Sequence, residues 1–359
     1  MIDKMYIIGS IAAKDIQDAL KNRFVIYQII AVSVILLSIR GLGLILEPPT
    51  TQIVIFDPGG STFSSMVEDS PDLRVIQAES LVDLQGVISN MGFGLGAELG
   101  IEIPPGFDTQ LESMDQPELQ GYVSWANRNK AVAIKDEIES ALQELTGKPI
   151  LINLEGNIIT PPGDIGLLVG IVTMFAVTII LTIGIILVPS LMLEEKQNRT
   201  LDALLVSPAS IGQVVAGKAL AGTFYILVTT LIVYLIYWSG VYSWGITGLF
   251  VIGAVLFAVS VGLIFGVVFD RPQEMTGWLS LVMVLVSGTI FVELINLDLP
   301  PFLEQILPWL PPVALAKIFW ASFSSQVDYQ QVWASFAVVV IISGLLFGFI
   351  IWRIRQLDR

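Results

Sequence analysis

Six apolar runs set the limits on what this chain can become: Phe24–Leu46, Ile165–Leu193, Val214–Tyr237, Gly245–Phe269, Trp278–Ile295 and Val332–Trp352. Crossing the hydrocarbon core of a bilayer takes about 20 apolar residues. Inside that core a backbone must satisfy its own hydrogen bonds, which leaves helices or closed barrels. Runs of this length predict an α-helical polytopic membrane protein with six transmembrane helices. Charged residues make up 14% of the chain, against about 25% in soluble domains. The first run is too long for a cleavable leader and has no small-residue cleavage site after it, so it is expected to remain as a span. The chain has no Cys and no His, which excludes thiol chemistry, disulfides and histidine metal or proton-relay sites.

An even number of spans puts both termini on one side. Lys4, Lys14, Lys21 and Arg23 precede the first span, and Arg353, Arg355 and Arg359 follow the last. Lys196, Arg199 and Lys218 flank the second-to-third connection, and Arg271 follows the fourth span. These basic residues share one face, which the positive-inside rule makes cytoplasmic. Trp238–Trp244, on the other face, carries no charge.

Between the first two spans the composition changes. Glu47–Asp164 holds 19 acidic and 5 basic residues, net −14, and the remainder of the chain holds 13 of each. An acidic, solvated surface explains this charge, with a cation-attracting vestibule as the alternative. "TQIVIFD" (Thr51–Asp57), "ELGIEIP" (Glu98–Pro104) and "LQGYVSWAN" (Leu119–Asn127) read as strands. "NKAVAIKDEIESALQELTG" reads as a helix, with Asn129 as N-cap, Gly147 as terminator and an apolar stripe of Val132, Ile134, Ile138, Ala141, Leu142 and Leu145. The Gly-rich Met91–Gly100 is expected to be a connector rather than a phosphate loop. Residues 47–164 are therefore predicted to form an inserted α/β extracytoplasmic domain.

Before the first span, Ile8, Ile11, Ala12, Ile16, Ala19 and Leu20 recur every three to four residues, while Lys14, Asp15, Asp18 and Lys21 are expected to face away. Residues 1–23 thus predict an amphipathic elbow helix lying on the inner leaflet.

"GQVVAGKA" (Gly212–Ala219) is one residue short of the phosphate-binding pattern G-x-x-x-x-G-K-[ST], with Ala219 in place of the magnesium-holding hydroxyl. A Ser-Pro break precedes it rather than a buried strand, and Ser210 with Gln213 forms a capping box that opens the next span. Lys218 is expected to snorkel to the headgroups. The near-match is therefore read as accidental.

Upstream, Glu194, Glu195, Lys196 and Arg199 bring the chain into the cytoplasm. Thr200 can cap a short helix with Asp202 in its first turn. Leu201, Leu204 and Leu205 make its apolar face and Pro208 ends it. Such a helix either docks another protein or packs on the membrane interface.

The stretch "EEKQNRTLDALLVSPAS…GK" resembles the second-to-third loop of the permeases of type-two ABC exporters, although Gln197 stands where that family has Glu. "AAKDIQDALKNRF" resembles the family's elbow, "IEIPPGFDTQLESMDQPEL" its Ile-Pro-x-Gly-Phe segment, and "ILPWLPPVALAKIF" its Pro-rich return before the last span. The resemblance implies the type-two ABC exporter fold in a prokaryotic plasma membrane. Two permeases, identical or homologous, would pair, with two separate ATPase subunits docked beneath them. No cofactor is expected in this chain, since ATP and magnesium belong to the partner ATPase, and no nucleic acid is involved. The coupling helix, residues 200–206, would carry ATPase closure into the spans. Glu194 and Glu195 would anchor its base, with Arg199, Thr200 and Pro208 framing it, and Leu201, Leu204 and Leu205 would enter a groove on the ATPase.

Residues 296–319 are too Pro-rich for a span and too apolar for a free loop, so a re-entrant segment of short helices is expected. Gly166/Gly170, Gly262/Gly266 and Gly344/Gly348 offer close helix contacts. Arg40 and Glu293, ionisable groups near the outer ends of their spans, are candidates for the translocation path, or snorkel to the interface. Two other function classes remain. An ion-coupled secondary transporter would need mid-membrane carboxylates and inverted repeats, which the spans do not show. A non-transporting scaffold that presents its ectodomain is the second.

Overall fold

A computed structural model of the chain describes residues 2–21, 26–27, 30–31, 33–38, 51–70, 73–89, 97–160, 167–197, 210–295 and 300–357. In residues 51–160, alternating apolar side chains build a six-stranded sheet. Its strands are β1 (Thr51–Phe56), β2 (Leu73–Ala78), β3 (Leu99–Glu102), β4 (Glu118–Ser124), β5 (Leu151–Asn153) and β6 (Ile158–Ile159). The order is β2-β1-β3-β4-β5, with β6 also pairing β4; only β3–β4 is antiparallel.

Four helices flank the sheet: α2 (Thr62–Glu68), α3 (Leu81–Ser89), α4 (Phe107–Ser113) and α5 (Ala131–Thr146). Successive strand residues point to opposite faces. Ile53 and Ile55 join Phe63, Ile138 and Leu142 in one core, while Val54 joins Leu84 and Ile88 in another. Both faces are covered, which is why "IVI" reads as a continuous apolar run. The short elements α2, α3, α4 and β2 were not expected from the sequence.

The helix expected from Asn129 begins later. Ser124, not Asn129, caps a 3-10 helix over Trp125–Lys130, and α5 follows with Lys130 as its N-cap. Gly147 ends α5 in the left-handed conformation, φ 71°, as the sequence predicts. Ile134, Ile138 and Leu142 are buried, but Val132 is 71% exposed and leaves the predicted stripe.

The membrane part comprises α6 (Leu167–Gln197), α7 (Ile211–Ile236), α8 (Trp244–Val268), α9 (Pro272–Ile295) and α12 (Tyr329–Leu357). These five are the helices, among the described residues, long and apolar enough to cross a membrane. The sixth expected span, 24–46, falls largely outside the described residues. Between α9 and α12 lie α10 (Pro301–Ile306), a 3-10 turn (Leu307–Trp309) and α11 (Pro311–Ala321). Helix α11 is buried against the bundle through Ala314, Leu315, Ile318 and Phe319. Prolines at its first turn cost no hydrogen bond and preset the backbone for the helix.

Three of the predicted small-residue positions serve close packing. A Cβ on Gly170 would overlap Leu294, one on Gly262 would meet the Gly184 carbonyl at 2.8 Å, and one on Gly266 the Met192 sulfur at 2.4 Å. Gly344 and Gly348 have nothing within 4 Å and do no such work within the chain.

Candidate coupling site

Helix α1 (Ile2–Lys21) docks on α7 between Gly217 and Tyr225. Ala12 on its apolar stripe is buried, and Ile11 lies where a Cβ on Gly217 would be, with its Cγ2 only 2.6 Å away. About two turns further along α7, the Tyr225 hydroxyl donates to the Ile16 carbonyl at 2.6 Å. Between these contacts, Lys218 Nζ donates to Asp15 Oδ1 at 2.9 Å, with Lys218 1% and Asp15 4% exposed.

Two expectations are thereby corrected. Asp15 does not face away from the apolar stripe; it follows Ile11 by four and Ala12 by three, so it lies on the buried face. Lys218 does not snorkel to the headgroups, because a carboxylate inside the protein compensates its charge. The "GQVVAGK" glycine and lysine are thus used to seat α1. Ser210 accepts from the Gln213 backbone N–H and the Gln213 side chain accepts from the Ser210 N–H, so the capping box closes this helix start as predicted.

Glu194 is exposed near the end of α6. The side chain of Glu195 and the residues Arg199, Thr200, Leu201, Leu204, Leu205 and Pro208 lie outside the described residues. In the sequence, the 12 residues 198–209 join α6 to Ser210, the N-cap of α7.

At the opposite end of the bundle, Glu293 on α9 pairs with Lys317 on α11, Oε1 to Nζ 2.7 Å. Neither is fully buried, at 32% and 19% side-chain exposure. Glu293 is thus an ion-pair partner linking a span to the short-helix segment, and Lys317, which sequence reading passed over, is half of it. Arg40, the other path candidate, lies outside the described residues. Nearby, the Tyr242 and Ser243 N–H groups both donate to the Ser322 carbonyl at 2.9 Å. They tie the α7–α8 connection to the end of α11.

The sheet segment carries two shifted carboxyls. Burial and then the negative charge of Glu137 raise Glu98 above its ordinary value, against a smaller pull from Lys130. The Thr62 and Phe63 N–H groups, 2.8 and 3.2 Å from the Asp108 carboxylate, hold it below the usual range, with Thr62 the larger cause. Asp108 thereby caps the start of α2 from across the chain. No cluster of three or more metal-ligating side chains occurs among the described residues.

The sequence model for the family described as ABC-2 family transporter protein matches residues 23–353. No curated protein matches the chain.

Proposed function

This chain belongs to the ABC-2 family transporter proteins, and on that premise we propose that it is the permease subunit of an ATP-driven exporter. It is a multi-pass membrane protein and an ABC transporter permease, a membrane component rather than the catalytic one. In our reading, two copies, or this chain and a homologous one, form the path. Two ATPase subunits dock under residues 198–209, with Thr200–Val206 as the coupling helix and Leu201, Leu204 and Leu205 as its insert. Both termini are cytoplasmic in this reading, residues 24–46 supply a sixth span, and residues 47–164 stand outside.

The observation that carries the reading is the seating of α1 on α7 at Gly217, Lys218 and Tyr225, about two to four turns beyond residues 198–209. Force applied to that connection meets a braced helix start rather than a frayed one. Two supports brace it, the Ser210–Gln213 capping box and the buried Asp15–Lys218 pair. The placement of Trp125 beside Val241 is consistent with the topology, since it puts the sheet segment at the other end of α7. Arg40 and Glu293 remain our candidates for the outer part of the path.

The test is co-purification from detergent with a candidate ABC ATPase, followed by ATPase stimulation in liposomes. Stoichiometric association with stimulation is expected. A permease that is folded and binds no such ATPase would overturn the reading.

A further inference from the structure

Among the described residues, a short 3-10 helix of the sheet segment touches the α7–α8 connection. Ser124 ends β4 and caps Trp125–Lys130, aiming two side chains of that turn at the α7–α8 connection. The Trp125 indole N–H donates to the Val241 carbonyl at 3.3 Å, and its ring sits 5.0 Å from the Tyr242 ring. The Arg128 guanidinium lies 4.0 Å from the centre of the Trp125 ring and donates to the Ser239 carbonyl at 3.3 Å and to the Trp125 carbonyl. A guanidinium stacked on an indole is held in one orientation, so the two residues act as a single rigid unit. Three anchor points on consecutive parts of one connection restrain rotation as well as separation. The connection is itself stiff, because Tyr242 and Ser243 are pinned to Ser322.

From Lys218 to Ile236 runs uninterrupted helix, about 27 Å at 1.5 Å per residue. Helix α7 is therefore gripped at one end by α1 and continues at the other into a connection gripped by the sheet segment. We propose that Trp125 and Arg128 form a mechanical clamp that makes the sheet segment move as one body with the α7–α8 hairpin. Displacement of the Lys218 end then reaches the sheet segment through α7. The inference rests on the reading of residues 198–209 as the ATPase-facing connection. It makes Trp125 and Arg128 positioning residues and assigns them no contact with cargo.

The chain lacks cysteine, so spin labels can be placed without background. Glu144→Cys on the exposed side of α5 and Gly245→Cys at the open start of α8 report the distance across the clamp. The measurement is pulsed electron resonance on the full chain with its ATPase, without nucleotide and with ATP plus vanadate. With labelled chain diluted into unlabelled chain so that only the intrachain distance is read, the expected result is one narrow peak that nucleotide does not change, and loss of that peak in W125A/R128A. If the double variant does not fold, R128K and W125F replace it. The first loses the planar fork and the second the indole donor, and each is expected to broaden the peak.

A native distance that shifts with nucleotide overturns the proposal, because the two bodies then move apart. So does a narrow peak that survives every clamp variant. ATPase co-purification is scored on the same preparations. Loss of association by the native chain would strike the exporter reading, whereas the nucleotide-free distances judge the clamp by themselves.

Discussion

Lys218 and Asp15, 203 positions apart in the chain, form an ion pair 2.9 Å long that is almost wholly removed from solvent. A buried charge is tolerated only when paired, and removing one partner of such a pair costs about 3–5 kcal/mol, while replacing both with apolar residues is often neutral. K218M should accordingly loosen α1 by an amount in that range, with a clear fall in thermal midpoint in detergent. D15L/K218M should recover most of the loss. A K218M protein as stable as the native one would show that the pair does not hold α1.

The same geometry predicts that the isolated chain binds no ATP. Lys218 is engaged by Asp15, Gly217 is pressed against Ile11, and the helix start is occupied by its own capping box. No backbone cradle is left for phosphate. Isothermal titration of the purified subunit should give no heat of binding with micromolar ATP, and a saturable isotherm would contradict the assignment.

Replacing Leu204 and Leu205 together with Asp should uncouple the ATPase while leaving the permease folded. Burying one leucine contributes roughly 1.5–3 kcal/mol. Losing two corresponds to about a hundred- to ten-thousandfold in affinity at about 1.4 kcal/mol per decade, before the cost of burying two carboxylates. Association and stimulated hydrolysis are the readouts. Native-level values in the double variant would remove these leucines from the docking surface.

Glu98 makes the sheet segment's stability pH-dependent in a definite direction. Its folded-state carboxyl titrates above the ordinary value of 4.5, so the folded form binds the proton more tightly than the unfolded one. The stabilisation is fully present below the unfolded value and is lost as pH rises through the folded one. Asp108 acts with the opposite sign: its stabilisation is present above its ordinary 3.8 and is lost only in stronger acid. E98Q should therefore raise the thermal midpoint at neutral pH and flatten its dependence just above pH 4.5. A variant with the native slope would locate the titration elsewhere.

Excised residues 47–164 should fold by themselves. Their cores, built on Ile53, Ile101 and Leu142 on one face of the sheet and on Val54 and Leu84 on the other, include no residue of the membrane helices among the described residues. Dispersed amide resonances are expected, and a disordered spectrum would show that the membrane part is required.

Much of this architecture can be read without coordinates. Helix α8 is long and apolar, and only a span suits such a run. Strand β1 shows as a short continuous apolar run and β4 by its alternation, and α5 shows its stripe and its terminal Gly147, because these patterns express local backbone geometry. The proposed coupling helix, Thr200–Val206, lies outside the described residues.

Pairing was not. Periodicity tells which positions of α1 are apolar, but not that Ile11 meets Gly217 of α7, and it set Asp15 on the polar face, whereas Lys218 from the other half of the chain pairs with it inside the protein. Glu293 looked like a lone ionisable group until α11 folded back to place Lys317 beside it. Trp125 and Arg128 sit in a turn whose only local signal is the Ser124 cap. A lone buried charge is forbidden and a paired one is allowed. Which of these side chains are buried therefore depends on contacts between segments far apart in the chain, and folding alone brings those segments together.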